Sequence, residues 1–396
     1  MTQVVIASAV RTAIGDFGGA LAGIAPGDLG AMVAREAISR AGIAPGDVEQ
    51  TVFGHVIHTA PEDMYLSRVA AIRAGVPDSA AALTVNRLCG SGLQAVVTAC
   101  EQILLDRARI ALAGGAESMS RAGHLMSLRA GHKMGDVSAI DMMLGALTDP
   151  FGHVHMGITA ENVAARDGID RAAQDALALA SHHRAAAAIA EGRFRDQILP
   201  VAIRRNRKDE LFDTDEHVRP GLTPEELARL RPAFQKDGTV TAGNASSIND
   251  GAAALVLMSE DEARARGTPA LARIVAYGLG GVAPGLMGLG PIPATHQALQ
   301  RAGLTAGDLD VIESNEAFAA QACAVTASLG LDPARVNPNG GAIALGHPVG
   351  ASGAIILTKL VYELRRSGGR FGLATMCIGG GQGIAVIVEA LNGAPA

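Results

Sequence analysis

Two cysteines and one histidine of this chain sit on glycine-rich loops. Cys89 lies in Leu88-Cys89-Gly90-Ser91-Gly92-Leu93, His347 in the stretch from Gly340 to Gly353, and Cys377 in Cys377-Ile378-Gly379-Gly380-Gly381. Glycine allows close backbone approach to a substrate, and a loop that opens a helix aims free amides at it. A thiol nucleophile, an imidazole base and amides around a developing oxyanion are the parts of acyl-thioester chemistry. Each also has a bland reading, since a lone cysteine is usually a small buried residue and a lone histidine a loop cap. Position favours the chemical one. Gly90-Ser91-Gly92 begins a helix, whose dipole and amides are expected to hold Cys89 as a thiolate, with a pKa near 6 rather than about 8.5. His347 precedes Pro348 in a stretch that reads as too polar and exposed for packing, and is a candidate base for Cys89 and oxyanion donor. Cys377 ends a strand, where α/β sites lie, and the amides of Cys89 and Gly379 form a candidate oxyanion hole. Cys100 and Cys323 fall inside helices and read as core.

These groups need a scaffold. Strand-like runs at Gln3–Ser8, Gln50–His55, Ile110–Ala113, Leu255–Met258, Ala272–Ala276, Val311–Ser314, Gly372–Met376 and Ile384–Glu389 alternate with helical ones. The helices are Asp28–Ala41, Leu66–Ala74, Gly92–Leu105, Thr159–Asp167, Arg171–Glu191, Pro224–Leu230, Pro293–Ala302 and Ala351–Arg366. The alternation predicts an α/β fold. An internal echo goes further: Ser39-Arg40-Ala41-Gly42-Ile43-Ala44-Pro45-Gly46-Asp47 resembles Gln300-Arg301-Ala302-Gly303-Leu304-Thr305-Ala306-Gly307-Asp308. Each half then continues through an extended Val-Asn stretch, a reactive glycine loop, a helix and a strand. Two copies of one unit would set Cys89 and His347 at equivalent helix N-termini near a pseudo-twofold axis. The expected division is residues 1–118 plus 249–268, an inserted lid at 119–248, and 269–396. The lid contains two irregular segments, near 121–158 and 196–222, of the kind that usually serve function or assembly.

Hydrophobic residues make up 48% and charged residues 18% of 396, which excludes a disordered chain. A net charge of −6 and 3% aromatic residues speak against a nucleic-acid surface. No apolar run is long enough for a membrane span, and Val4-Val5-Ile6-Ala7-Ser8 reads as a core strand rather than a signal peptide. Gly393-Ala394-Pro395-Ala396 carries no targeting signal. Four cysteines without a Cys-x-x-Cys pair suit reduced thiols and a cytoplasmic location. The glycines from Gly379 to Gly383 leave too little chain for a dinucleotide fold. His153 and His155 lack the partners of a metal site, and Arg204-Arg205-Asn206-Arg207-Lys208 reads first as a solvated loop.

Leu88-Cys89-Gly90-Ser91-Gly92, Asn315-Glu316-Ala317-Phe318-Ala319, Gly346-His347-Pro348 and Cys377-Ile378-Gly379-Gly380-Gly381 together resemble the thiolases. The resemblance runs from Arg11-Thr12-Ala13-Ile14-Gly15 to the last strand. His155-Met156-Gly157 resembles the acetyl-CoA acetyltransferases within that family. The stretches 63–71 and 141–147 are more similar to broad-specificity β-ketothiolases of bacterial polyhydroxyalkanoate synthesis. The resemblance implies two α/β halves in five layers (αβαβα) and a reversible Claisen condensation of two acetyl-CoA to acetoacetyl-CoA and CoA. Propionyl-CoA and short 3-ketoacyl-CoAs are further substrates it implies. Cys89 would carry the acyl group, His347 activate it and Cys377 move the α-proton. Asn315 would hold a water that, with His347, forms one oxyanion hole, and the Cys89 and Gly379 amides the other. CoA contacts carried over are Leu147, His155, Met156, Arg219, Phe234, Ala242, Ser246, Ala317 and Phe318, with Met287 lining the acyl pocket. Val154, Glu226 and Ser247 depart from the short-chain pattern. No cofactor beyond the CoA thioesters is implied, and the loop Gly123–Asp141 implies a homotetramer. The alternatives are a degradative 3-ketoacyl-CoA thiolase of β-oxidation, a ketoacyl synthase, and a non-catalytic acyl-CoA or lipid-binding relative.

Overall fold

A computed structural model describes residues 2–205 and 207–391. The N-terminal half supplies strands β1 (Val4–Thr12), β2 (Gln50–Gly54), β3 (Ala81–Val85), β4 (Ile110–Ser118) and β5 (Asn249–Ser259), with helices α1 (Pro26–Arg40), α2 (Leu66–Arg73) and α3 (Ser91–Leu104). Helices α4 (Met156–Asp167) and α5 (Arg171–Ala190) lie between β4 and β5. The C-terminal half supplies β6 (Ala272–Gly281), α6 (Pro291–Ala302), β7 (Val311–Ser314), α7 (Ala319–Ser328), α8 (Ser352–Ser367), β8 (Phe371–Ile378) and β9 (Gln382–Ala390).

The strand order is β3-β2-β4-β5-β1-β6-β9-β8-β7. In each half a parallel pair leads into antiparallel neighbours: β2 runs parallel to β4, and β7 to β8, before the direction reverses. The half-sheets join where β1 meets β6 at Val4↔Ile274, Val5↔Arg273 and Ile6↔Ala272. Gln50 pairs with Ala111 in one half and Val311 with Gly372 in the other, so corresponding residues differ by 261 (311 − 50) in both strands. The expected duplication is therefore a property of the fold. Even the counterpart of β3 survives, as one parallel bridge between Ile312 and Val336.

Strand alternation sends neighbouring side chains to opposite faces, and each face has its own apolar layer. Val5, Val10, Phe53, Leu112 and Val256 pack with Leu29 and Val33 of α1 on one outside. Ile6, Ala9, Met376 and Val386 face the central helices through Leu93, Val96, Leu357 and Leu360. Ala294 and Ala298 of α6 and Val325 of α7 cover Leu373 and Ile387 on the other outside. The order is helix, sheet, helix, sheet, helix. Burial of each large side chain contributes about 1.5–3 kcal/mol.

The 119–248 stretch is less irregular than expected. His124–Leu125 pairs with Ile140–Asp141, Met142–Ala146 is a short helix, and Val201–Arg205 forms a hairpin with Lys208–Phe212. The basic run is thus the tip of a hairpin, with Arg204 Nε 3.9 Å from Asp209; its Asn206 lies outside the described residues, as does the segment 393–396. Sequence patterning also passes over β3, whose Ala-Ala-Leu-Thr-Val is an edge strand with Leu83 half exposed. Helix α7, expected around Cys323, is given no bounds by the sequence because its alanines, buried on several sides, draw no apolar stripe.

Candidate active site

The two central helices cross at their N-termini. A methyl group on Gly92 would lie 2.6 Å from the Ala354 amide nitrogen, and one on Gly353 would collide with that of Leu93. Only glycine allows backbones this close, and the crossing brings the Cys89 and His347 loops together. By the offset of 261 the strict counterpart of Cys89 is Gly350 (350 − 89), and His347 lies three residues earlier. The expected equivalence of Cys89 and His347 is thus approximate. A methyl at Gly90 would strike Ile378, so the turn after β8 closes on the same point. Cys89, His347, Cys377 and Gly379 line one cavity of about 590 Å³.

Cys89 follows a backbone strain point: Leu88 holds φ at +45°, which costs a side chain about 1–3 kcal/mol. Ser91 keeps it there, its Oγ donating to the Leu88 carbonyl at 2.6 Å and accepting from the Arg87 amide at 2.8 Å. The thiolate expected from the helix dipole is not the resting form. Burial pushes the Cys89 thiol up to about 11, outweighing the amides of Gly379 and Cys89 that favour the anion, and Glu117 adds to the rise. Those two amides do converge on Cys89 Sγ, where an oxyanion would form.

His347 is buried rather than exposed, and burial lowers its pKa to about 4. Its Nδ1 is 2.6 Å from Ser352 Oγ, which donates to the Pro348 carbonyl at 2.9 Å. The serine hydrogen being used, Nδ1–H must donate, and Nε2 keeps its lone pair; Nε2 has no hydrogen-bond partner among the described residues. Asn249 Oδ1 accepts the His347 amide at 2.7 Å, and its Nδ2 donates to the Gly15 carbonyl. A neutral imidazole that shares a cavity with a neutral thiol can remove the proton as the sulfur attacks, without a standing ion pair. Cys377 is 1% exposed, and burial and the nearby Cys89 raise its pKa. Asn315 is buried with Nδ2 unpartnered, but the cavity is lined by its neighbours Ala317 and Phe318 rather than by Asn315 itself.

All ten residues expected at the substrate line this cavity: Leu147, His155, Met156, Arg219, Phe234, Ala242, Ser246, Met287, Ala317 and Phe318. The His155 ring stacks on Phe234 at 4.6 Å, and Phe318 meets Phe234 edge-on at 6.1 Å. A methyl at Gly157 would collide with Phe234, so Gly157 is needed for the ring to sit there. Arg219 and Ala242 also border an adjoining pocket of about 250 Å³ with His182, His217, Leu230 and Glu226. Thr223 and Glu226 cap the Pro224–Ala228 helix reciprocally, which holds that carboxylate at the pocket. Sequence reading passes over Ser352, Asn249 and Ser91. A serine five residues after His347, in the first turn of α8, was the one available signal for Ser352.

Among the described residues, no group of three or more His, Cys, Asp or Glu side chains is placed to hold a metal, and no helix is long and apolar enough to cross a membrane. The family model for the N-terminal domain of thiolase matches residues 4–261, and that for the C-terminal domain residues 268–390. The β-ketothiolase BktB of Cupriavidus necator is 60% identical over 389 residues, covering 98% of this chain and 99% of that protein. An acetyl-CoA acetyltransferase of Shinella zoogloeoides is 54% identical over 390 residues, again 98% and 99% of the two chains. Human mitochondrial 3-ketoacyl-CoA thiolase superposes with a TM-score of 0.97 at 44% identity, over 98% of this chain and 99% of that one. The acetyl-CoA acetyltransferase of Bacillus anthracis does so at 0.96 and 45%, over 99% of both.

Proposed function

This chain belongs to the thiolase family, and from that premise we propose that it acts as an acetyl-CoA C-acetyltransferase through an acyl-Cys89 intermediate. The molecule is an acyltransferase that joins two acetyl-CoA into acetoacetyl-CoA and CoA, reversibly. The observation that carries the assignment of residues is the meeting of three glycine loops on a cavity lined by Cys89, His347 and Cys377.

In the first half-reaction His347 Nε2 takes the Cys89 proton while Sγ attacks the thioester carbonyl. The amides of Cys89 and Gly379 receive the negative oxygen, and CoA leaves as its sulfur takes the Cys377 proton, so that Cys377 becomes a thiolate while His347 stays an imidazolium. In the second, Cys377 removes the α-proton of another acetyl-CoA, whose enolate oxygen is held by His347 and an Asn315-bound water. The carbanion attacks acyl-Cys89, acetoacetyl-CoA is released, and the Cys89 sulfur takes back the proton held by His347. One preorganised donor at such an oxygen is worth roughly 10²–10³ in rate. Propionyl-CoA and short 3-ketoacyl-CoAs are further substrates, and no cofactor takes part beyond the thioesters.

Cys89→Ala is expected to abolish labelling by radioactive acetyl-CoA, and Cys377→Ala to keep labelling but lose condensation. Undiminished labelling of Cys89→Ala would refute the assignment. A degradative thiolase would instead show thiolysis rising with chain length above about eight carbons, a difference set by pocket size.

We assign residues 119–248 as the lid over the two thiolase halves, and a homotetramer as the assembly. The support is exposed apolar surface. Leu125, Leu128, Met134 (89% exposed) and Ile140 stand out on the Gly123–Asp141 loop, and Met64, Tyr65 and Leu83 flank the open edge of β3. Sedimentation at one or two chain masses would contradict the tetramer. A cytoplasmic location fits four cysteines held as free thiols.

A further inference from the structure

Beneath the reacting pair lies a buried ion pair that the acyl-transfer steps do not use. His55 follows β2, Glu117 lies near the end of β4, and both are 0% exposed. The parallel pairing of β2 with β4 sets them side by side. Glu117 Oε1 is 3.1 Å from His55 Nδ1 and accepts the Ile57 amide at 3.2 Å. Its Oε2 accepts the Val56 amide at 3.1 Å and the Gly350 amide at 2.9 Å. Gly350 is three residues past His347, and a methyl group there would lie 2.5 Å from Glu117 Oε2 and 3.0 Å from His55 Cα. On the other side, a methyl on Gly54 would lie 2.5 Å from the Ser91 carbonyl carbon, two residues past Cys89. His55 and Glu117 are therefore the floor on which both reactive loops rest.

The charge arrangement is unusual for a floor. His55 Nδ1 also faces the Ala116 carbonyl at 2.9 Å, which can only accept, so Nδ1 carries a proton. Nε2 has no hydrogen-bond partner among the described residues and lies 3.9 Å from Asp63 Oδ2, a second buried carboxylate. Asp63 Oδ2 is occupied by the Thr59 amide and hydroxyl and the Ala60 amide, and its Oδ1 is unpartnered. His58 stacks on His55 at 5.4 Å. An imidazole between two carboxylates gains from a second proton; burial opposes that charge, but Glu117 and Asp63 overcome it and the pKa of His55 is raised.

We propose that His55 and Glu117 are positioning residues for the reacting pair: Glu117 ties the Gly350 amide to the shared floor, and the His55 imidazolium cancels the negative charge that this carboxylate presents to Cys89. The groups facing His55 are Glu117 from β4, Asp63 and His58 from the segment before α2, and Cys89 across Glu117. Loss of the His55 charge leaves Glu117 uncompensated, and the Cys89 thiolate becomes harder to form. An unscreened carboxylate at this range is worth about one pH unit in the ionisation of the thiol.

The test is alkylation of Cys89 in the full-length protein by iodoacetamide, followed on the Cys89 peptide by mass spectrometry. At about pH 6.5, where a raised His55 keeps its charge, His55→Gln, which keeps a donor for Glu117 but no charge, is expected to react about tenfold more slowly than wild type. The double variant His55→Gln with Glu117→Gln, uncharged at both places, is expected to return to within about threefold. In the wild type, log rate against pH should rise with a slope below one in a range above about pH 6.5, because the thiol becomes less acidic as the raised His55 loses its proton. A folded His55→Gln protein that reacts at the wild-type rate overturns the proposal. So does a wild-type slope of one throughout, which decides the matter even where the variants do not fold. The readout is independent of CoA turnover, so its failure leaves the acetyltransferase reading intact.

Discussion

Ser352→Ala removes a single hydroxyl and tests how the base is held. In the native chain His347 Nδ1–H donates to Ser352 Oγ at 2.6 Å, and the hydroxyl passes its own hydrogen to the Pro348 carbonyl. Without the oxygen, Nδ1–H is a buried donor with no acceptor, and the imidazole moves its proton to Nε2, which faces the cavity. That tautomer presents N–H to Cys89 and cannot take its proton. Returning to the reactive tautomer costs what an unpaired buried donor costs, about 1–3 kcal/mol. At 1.36 kcal/mol per decade the loss is roughly 5- to 150-fold in kcat. KM for acetyl-CoA should stay within about twofold, because Ser352 does not line the cavity. Thiolysis of acetoacetyl-CoA, followed as loss of the enolate absorbance, gives kcat and KM, and single-turnover labelling isolates acylation. The loss should appear in acylation. A folded Ser352→Ala enzyme with kcat within twofold of wild type would show that the hydroxyl does not set the tautomer, and the account of His347 would fail.

Other expectations follow from the same structure. His347 is held near pKa 4 when folded against about 6.5 unfolded, so between these values the unfolded chain binds the extra proton. Its contribution of about 3 kcal/mol is complete above about pH 6.5 and lost as pH falls to 4; His182, depressed in the same direction, adds to the slope. Urea midpoints measured from pH 7 to 4 should fall more steeply for wild type than for His347→Gln, and equal slopes would contradict this. Gly353→Ala drives a methyl into the Leu93 amide and should destabilise the fold by about 3 kcal/mol, read as a lower urea midpoint. An unchanged midpoint would mean that the helices do not cross there. Glu226→Ser removes a carboxylate from the pocket beside Arg219 and should lower KM for the polyanionic acetyl-CoA two- to fivefold, roughly, with kcat unchanged. High salt should erase the difference, and a higher KM would show that Glu226 assists binding.

The loops that meet at the cavity were legible in the sequence because glycine announces close approach, and because the echo around Asp47 and Asp308 supplied the symmetry that joins distant loops. Val311–Ser314 matched the observed strand at both ends, whereas Asn249–Ser259 was visible only over Leu255–Met258. The difference is that Gly251, Ala252, Ala253 and Ala254 fill a strand covered on both faces and carry no apolar pattern of their own. The ionisation of Cys89 was misread for a related reason. A helix start can be seen in a sequence, but the burial that overrides its dipole depends on loops from three parts of the chain. His55 and Glu117 gave no signal at all; neither has a motif, and only the pairing of β2 with β4 makes them neighbours.

Ser91 and Ser352 are twins, 261 positions apart (352 − 91), each in the first turn of a central helix. Both hydroxyls bend back to the carbonyl three or four residues earlier, at Leu88 and Pro348. The first does nothing more exotic than hold the Cys89 turn shut, while the second has acquired an imidazole. The same register sets Ala116 opposite Cys377 (377 − 116 is again 261), so the proposed proton shuttle has no twin. An ancestor made of two identical units would have owned every one of these positions twice. In this molecule the packing is kept in duplicate while the groups proposed to react are not, so one cavity serves a fold built as a pair.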